Sequence, residues 1–318
     1  MFNLVEKRRF YFLFSSLLIG AGIIMMIIST VQTGAPFQLS IDFVGGAIYE
    51  LAFEEEGATE ANIREVFASF GDDNVTIQAL GEPEDYSWSV RGSFTDQATT
   101  DAIVNALDDL ATLDRDRLLT ERVSETIGAE VAQAAFWAIV AASVIVTGFI
   151  VIAFRTVPNR LRYGLCAIAA MIHDILIVMG ITSLAGILLG WEIDALFLTA
   201  VLTVVGFSVQ DSIVMFDRIR ENIPKHIGEP YETIVNRSIW ETIHRSLATQ
   251  LNAFFIMAAI LLFGGETIKQ FIAILLIGLL SGTYSSIFVA VPLLVSWDKG
   301  EIPLLNRINN LTTVGAEA

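Results

Sequence analysis

Three places in this chain set ionisable side chains into stretches otherwise apolar enough to lie inside a membrane: His173 with Asp174, then Asp211, then Arg245. Charge at bilayer depth is costly, so each is a functional candidate by default. Asp211 carries the sharpest signal. It stands six residues before Asp217 at the end of an apolar run, which puts it roughly 9 Å of helix rise inside the membrane boundary. Thr199, Thr203 and Phe207 precede it at steps of four and Ser208 lies three before it, so a partly polar stripe leads along the helix to its face. Such a stripe suits a proton relay. A carboxylate alternately buried and brought near a cation loads and releases a proton, because burial favours the neutral form and a positive neighbour the ionised one. The competing reading is structural, a hydrogen-bonded aspartate that holds two helices together.

Arg245 has two readings. As a counter-charge to Asp211, its guanidinium would stabilise the ionised carboxylate. As an interfacial arginine at the start of an apolar run, it would snorkel to lipid headgroups. His173 and Asp174 lie about eleven residues into their span, near mid-membrane. Neighbours on a helix point about 100° apart, so His173 is expected to turn away from Asp174 and each to bond to another helix. Asp174 then serves either a proton path or the locking of helices. No second ligand is spaced to complete a metal site around the pair.

Asp217, Arg218, Arg220 and Glu221 form a mixed-charge run just after the Asp211 stretch. It reads as a solvated helix terminus, with a specific partner contact as the alternative. Gly45 and Gly46, after Asp42, read as a tight connection from the first apolar helix into the domain that follows. Without a phosphate-binding strand, helix and lysine around them, they do not make a nucleotide loop.

Positioning these groups falls to membrane helices. Of 318 residues, 54% are hydrophobic and 17% charged, and the mean hydropathy is +0.62, too apolar for a soluble globular protein of this length. A bilayer core takes about 20 apolar residues per helix, and six stretches qualify, at 11–31, 132–154, 163–189, 193–216, 247–263 and 271–297. The first follows Lys7, Arg8 and Arg9 as a signal peptide would. Thr33, Gly34 and Phe37 then stand in place of a small-residue cleavage site, so the segment is read as a retained anchor. With the N-terminus in the cytoplasm, 13 of the 19 Lys and Arg fall on or near that side, among them Arg155, Arg160, Arg162 and Arg307. Both termini are then cytoplasmic. Cys166, the single cysteine, sits in an apolar run and leaves neither a disulfide framework nor a cysteine-rich metal cluster.

The formal charge of −16 is concentrated in one loop: residues 31–132 hold 21 Asp or Glu against 5 Lys or Arg, and the remainder nets zero. An acidic surface repels phosphates and argues against a nucleic-acid partner. Strands are expected at 47–53, 75–80, 86–90 and 117–123, and helices at 59–70 and 95–113, with Thr95 capping the second. The order βαββαβ is that of a ferredoxin-like split unit. The expected organisation is therefore 1–31, cytoplasmic N-terminus and first span; 32–131, an acidic extracytoplasmic α+β domain; 132–297, five further spans; and 298–318, a cytoplasmic tail.

Taken together these residues resemble the SecD/SecF family of the RND superfamily, and within it the SecF branch, over nearly the whole chain. The segment 41–46, with Asp42, Gly45 and Gly46, looks like the family's motif after the first helix, and His173-Asp174 like its third-helix pair. The most specific stretch is 205–222, with Gly206, Ser208, Asp211, Asp217 and Arg218. There the family typically shows Tyr, Asn and Thr at the positions of Phe207, Gln210 and Ser212. Asn236, Ser238, Thr242 and Arg245 fit the next motif, and 262–265 and 281–286 fit the ends of the fifth and sixth helices.

The resemblance implies a polytopic α-helical membrane protein, an RND-type half with six transmembrane helices and a ferredoxin-like extracytoplasmic domain between the first two. It implies a SecD-like partner completing a twelve-helix unit, set in the lipid of the cell (inner or plasma) membrane beside the SecYEG channel. The job implied is export of a translocating preprotein, driven by the proton motive force, with no cofactor and no enzymatic activity. Carried over by position, Asp211 is the proton-accepting carboxylate and Arg245 its modulating base, with Asp174 and His173 as further relay candidates. One departure is 247–253, where the family often has a Ser and Thr cluster after the arginine. Two other readings remain. An intramembrane aspartyl protease would use Asp174 and Asp211, against a depth difference of about 5 Å and without that family's Tyr-Asp and Gly-x-Gly-Asp signatures; a non-transporting scaffold subunit would need neither carboxylate to titrate.

Overall fold

The computed structural model describes residues 3–81, 85–154 and 160–302. Most of the expected C-terminal tail, from 303 on with Arg307, lies outside them, as do Arg155 and the side chain of Arg160. In chain order the elements are α1 (Arg8–Thr33), α2 (Ile41–Val44), β1 (Gly46–Ala52), α3 (Glu60–Ser69), β2 (Thr76–Leu80), β3 (Ser87–Gly92), α4 (Gln97–Leu110) and β4 (Leu119–Val123). There follow α5 (Glu125–Ala153), α6 (Arg160–Leu189), α7 (Ala195–Asn222), α8 (Tyr231–Phe263), α9 (Glu266–Ser285), a π turn at Ser286–Ala290, and α10 (Val291–Asp298). Two compact units divide the chain: Leu39–Phe136, and a helical unit of Met1–Gln38 with Trp137–Ala318.

The smaller unit has the βαββαβ order that its alternating periodicities imply. Its sheet runs β2-β3-β1-β4 with every pair antiparallel, Ala47 opposite Gly92 and Gly46 opposite Val123. The apolar faces of α3 and α4 supply Ile63, Phe67, Ile103 and Leu107, all but inaccessible, to a core with Tyr49, Leu51 and Val90. Each such side chain contributes about 1.5–3 kcal/mol by leaving water. Helix starts follow local hydrogen bonding: the Thr59 hydroxyl accepts from the amide of Asn62, and the Asp96 carboxylate from that of Thr99. The cap of α4 is thus Asp96 rather than Thr95. A carboxylate there wins because it meets the unpaired first-turn amides with charge, while the Thr95 hydroxyl pairs with those of Tyr49 and Thr100.

In the helical unit, six helices among the described residues are long and apolar enough to cross a membrane. A helix pairs its own amides, which lipid cannot do. Half or more of the most apolar stretch of α6, α7 and the α9–α10 segment is buried within the chain, against 11% for α1, α5 and α8, so the first three form the centre. Small residues let them close up. A Cβ on Gly278 of α9 would overlap both methyl carbons of Val204 on α7, and one on Gly282 would stand 3.2 Å from the Ser208 Cα. At the other end of the centre, Phe154 stacks on Tyr163 at 5.3 Å, with Phe216 edge-on to Tyr163 at 5.3 Å.

Two spans carry features that hydropathy does not show. The fifth, expected over 247–263, belongs to a 33-residue helix that begins at Tyr231. Its polar N-terminal half hid it from a hydropathy reading, although helix periodicity persists there in the buried Ile234, Val235, Ser238 and Ile239. The sixth, expected over 271–297, is a single span of Ile268–Asp298 that carries a π turn ahead of Pro292, whose ring denies α10 a normal continuation of the ladder.

Candidate functional site

Asp211 lies on α7 with 4% of its surface accessible. The side-chain amide of Gln250 on α8 donates to its Oδ2 at 2.6 Å. That meeting follows from spacing: Ser238, Thr242, Ser246 and Gln250 recur every fourth residue along α8, all buried, and so line one face of it. Gln250 falls in the stretch where the sequence left the polar surroundings of Arg245 open, and the four-residue repeat was the signal that marks it. On α7, Ser208 and Ser212 share the buried face with Asp211. Thr199 and Thr203 do not extend a buried stripe: Thr199 is exposed, Thr203 half-buried, and both hydroxyls donate to carbonyls of their own helix, at 3.2 and 2.8 Å. Residues four apart drift by about 40° per step on a helix of 3.6 residues per turn, and three steps carry Thr199 off the face.

Asp174 on α6 is wholly buried and held by α9: Ser281 donates to Oδ1 and Ser285 to Oδ2, each at 2.6 Å. His173 corrects the expectation that neighbours turn apart. Its Nδ1 lies 3.0 Å from Asp174 Oδ1, because the imidazole folds back across the helix beneath Tyr284, whose ring stacks on it with centroids 6.0 Å apart. The Tyr284 hydroxyl donates in turn to the carbonyl of Tyr11 on α1, at 3.2 Å. Ser281, Tyr284 and Ser285 stand just before the π turn, a frequent feature of functional segments.

Among the described residues no hydrogen bond joins Asp174 to Asp211; each carboxylate is satisfied by a different helix. That arrangement does not make the proton-sharing dyad an aspartyl protease requires. Nor do three His, Cys, Asp or Glu side chains converge as for a metal among those residues.

The end of α7 is clasped to α8. Arg218 bonds Glu241 at 2.6 Å and Glu221 at 2.8 Å, Asn222 donates to Glu241 at 2.7 Å, and Asp217 pairs with Arg220 at 2.6 Å. The mixed-charge run is thus an in-chain clasp as well as a solvated terminus. Beside it opens a cleft of about 490 Å³ lined by Ile213, Asp217, Arg218, Glu241, Thr242 and Arg245. Arg245 is exposed, makes no ion pair among the described residues, and does not hydrogen-bond Asp211. Gly206 also faces outward, with open space where a Cβ would be.

Asp42, Gly45 and Gly46 belong to the smaller unit. Ser40 caps α2 by accepting from the Asp42 amide, and Gly45 (φ 78°) and Gly46 (φ 131°) turn the chain into β1. A Cβ on Gly45 would meet the Glu125 backbone at 2.7 Å. The pair does make a tight connection, but from the short α2 into β1 rather than from the first span, which ends at Thr33.

Residues 102–300 match the family model described as "Protein export membrane protein SecD/SecF, C-terminal". The protein translocase subunit SecF of Anaerolinea thermophila is 43% identical over 95% of this chain and 96% of its own length. The protein translocase subunit SecDF of Bacillus subtilis is 30% identical over 94% of this chain but only 38% of its own. Among solved structures, SecDF of Thermus thermophilus, described as a translocon-associated membrane protein, superposes with a TM-score of 0.75 at 28% identity, over 94% of this chain and 39% of that one.

Proposed function

The chain belongs to the SecD/SecF family of protein export membrane proteins, and on that premise we propose that it is a SecF-type subunit that uses the proton motive force to assist export, with Asp211 as the proton carrier. One observation carries the reading: a carboxyl group inside a membrane-spanning helix, buried, whose bonding partner is the neutral amide of Gln250. A buried charge kept only for structure is normally met by an opposite charge. An amide suits a group that changes state, because its NH2 donates to a carboxylate while its carbonyl accepts from a carboxylic acid.

Moving one proton through a potential supplies about 2.3 kcal/mol per 100 mV, enough to bias a two-state element more than tenfold. The exposed Arg245, at the cleft below Asp211, is the modulating base in this reading. Both termini and the cleft face the cytoplasm, as the Lys and Arg distribution asks, and the acidic unit faces the other side of the cell membrane. The partner is a SecD-type chain: the Bacillus subtilis relative, named SecDF, has the greater part of its length beyond the region matched. Together the two act beside a SecYEG-type channel on a translocating preprotein, without nucleic acid and with no cofactor besides the proton gradient.

The test is Asp211→Asn in vesicles carrying the partner chain and the channel. Potential-driven export is expected to fall at least about tenfold with the protein still recovered in complex, and Asp211→Glu to retain part of it. Undiminished export by the asparagine variant would end the proposal.

A further inference from the structure

The α8 stripe holds one hydroxyl that its neighbours do not explain. Ser238, Thr242 and Thr249 each turn their hydroxyl back onto the carbonyl four residues earlier on their own helix. Ser246 does not: its Oγ is buried, with the residue 3% accessible, and has no hydrogen-bond partner among the described residues. An unpartnered buried hydroxyl is destabilising by about 1–3 kcal/mol, so its retention calls for a ligand, and the smallest is water. Its place suits one. Ser246 stands one turn from Gln250, which holds Asp211, and one turn from Thr242, which lines the cleft. Gln250 and Thr242 are separated by about 12 Å of helix rise, with a polar side chain every 6 Å, a spacing that single waters bridge.

We propose that Asp211 exchanges its proton with the cleft through water held at the Ser246 hydroxyl, and that Gln250 is the positioning residue that keeps Asp211 on this route. The inference rests on Asp211 as the proton carrier and adds the path by which that proton arrives. A proton enters as hydronium from the cleft, passes along the water at Ser246 to Asp211 Oδ, and leaves by the reverse transfer when the carboxyl group is re-ionised; no other bond changes. The charged groups that line the cleft end of the route are Asp217, Arg218 and Glu221 of α7 and Glu241 and Arg245 of α8, with Arg220 turned to Asp217 and the Ala153 carbonyl and His244 exposed next to Arg245 in sequence. The helices α6 and α9 pack against α7, and their titratable side chains at mid-span, His173, Asp174 and Tyr284, are engaged with one another, with α9 and with α1. None of these hydrogen-bonds Asp211 among the described residues.

Water access is measured directly by Ser246→Cys in a Cys166→Ser background, reconstituted with the partner chain and treated with a membrane-impermeant thiol reagent. Only a hydrated thiol ionises and reacts, so labelling is expected about tenfold faster or more than for Ile239→Cys, a fully buried apolar position of the same helix. Labelling no faster than at 239 would overturn the route. Gln250→Leu is expected to lower potential-driven export about tenfold and to displace its pH profile. A loss that is the same at every pH is what a purely structural glutamine gives, and it would overturn the positioning role. Failure of the route leaves the Asp211→Asn result unchanged, so the two ideas fall separately.

Discussion

Removing the Asp174 carboxylate is the sharpest test of what locks the centre of the bundle. In Asp174→Ala the Ser281 and Ser285 hydroxyls, each 2.6 Å from a carboxylate oxygen, and His173 Nδ1, 3.0 Å away, all lose their partner at a site with no solvent access. Ser285 has a fallback, since the Gly282 carbonyl already lies 3.3 Å from its Oγ. Ser281 can recover a bond only by turning back onto its own helix, and His173 is pinned under Tyr284. One or two buried groups therefore stay unsatisfied, at about 1–3 kcal/mol each, for an expected loss of about 1–6 kcal/mol. Asp174→Asn keeps one acceptor oxygen and should lose about half as much. Chemical unfolding of the purified chain in mild detergent reads these differences, and a double-mutant cycle with Ser281→Ala should give a coupling of about 1–2 kcal/mol. An alanine variant within about 0.5 kcal/mol of the parent would refute the lock. If that variant were also inactive in export, Asp174 would pass to the proton path.

Other expectations follow from the same contacts. Gly278→Ala forces α9 away from Val204 and should cost about 1–3 kcal/mol of thermal stability, recovered in part by Val204→Ala, whereas Gly206→Ala, facing open space, should be within about 0.5 kcal/mol of the parent. Gly45→Ala meets both a left-handed backbone and the Glu125 main chain, so loss of about 3 kcal/mol or more is expected, read as increased hydrogen exchange in β1. In the acidic unit, hydrogen bonds from Thr99 to Asp96, and from Arg115 and then Leu113 to Asp108, hold both carboxyl groups below their usual range. A depressed folded value stabilises above the unfolded pKa of about 3.9 and is lost as pH falls from there through the folded values. Exchange protection of α4 should thus hold at pH 5 and drop near pH 3 (about one unit below the unfolded pKa), and Asp96→Asn with Asp108→Asn should flatten that drop.

Much of this protein is legible along the chain because the deciding energies are local. Transfer of an apolar residue to lipid adds up within one segment, so six spans stand out without knowledge of their neighbours. Period-2 and period-3.6 patterns give the βαββαβ order in the same way. Even the candidate acids, Asp174 and Asp211, announce themselves, since a charge in a span is costly whatever surrounds it. The π turn in the sixth span and the early start of α8 were harder: a π turn leaves hydropathy unchanged, and the polar first half of α8 lowers it below what marks a span.

Tertiary structure alone decided which group answers each charge. The partner of Asp211 is 39 residues away on α8, and those of Asp174 are 107 and 111 residues away on α9; nothing local relates such positions. Packing through Gly278 and Gly282 sets the depth at which α9 meets α7. Side-chain torsions under Tyr284, which no helical wheel contains, bring His173 onto Asp174. The cost of a buried charge is written in the residue that carries it, but its relief is a matter of contacts of 2.6 Å between helices, and those exist only once the bundle has closed.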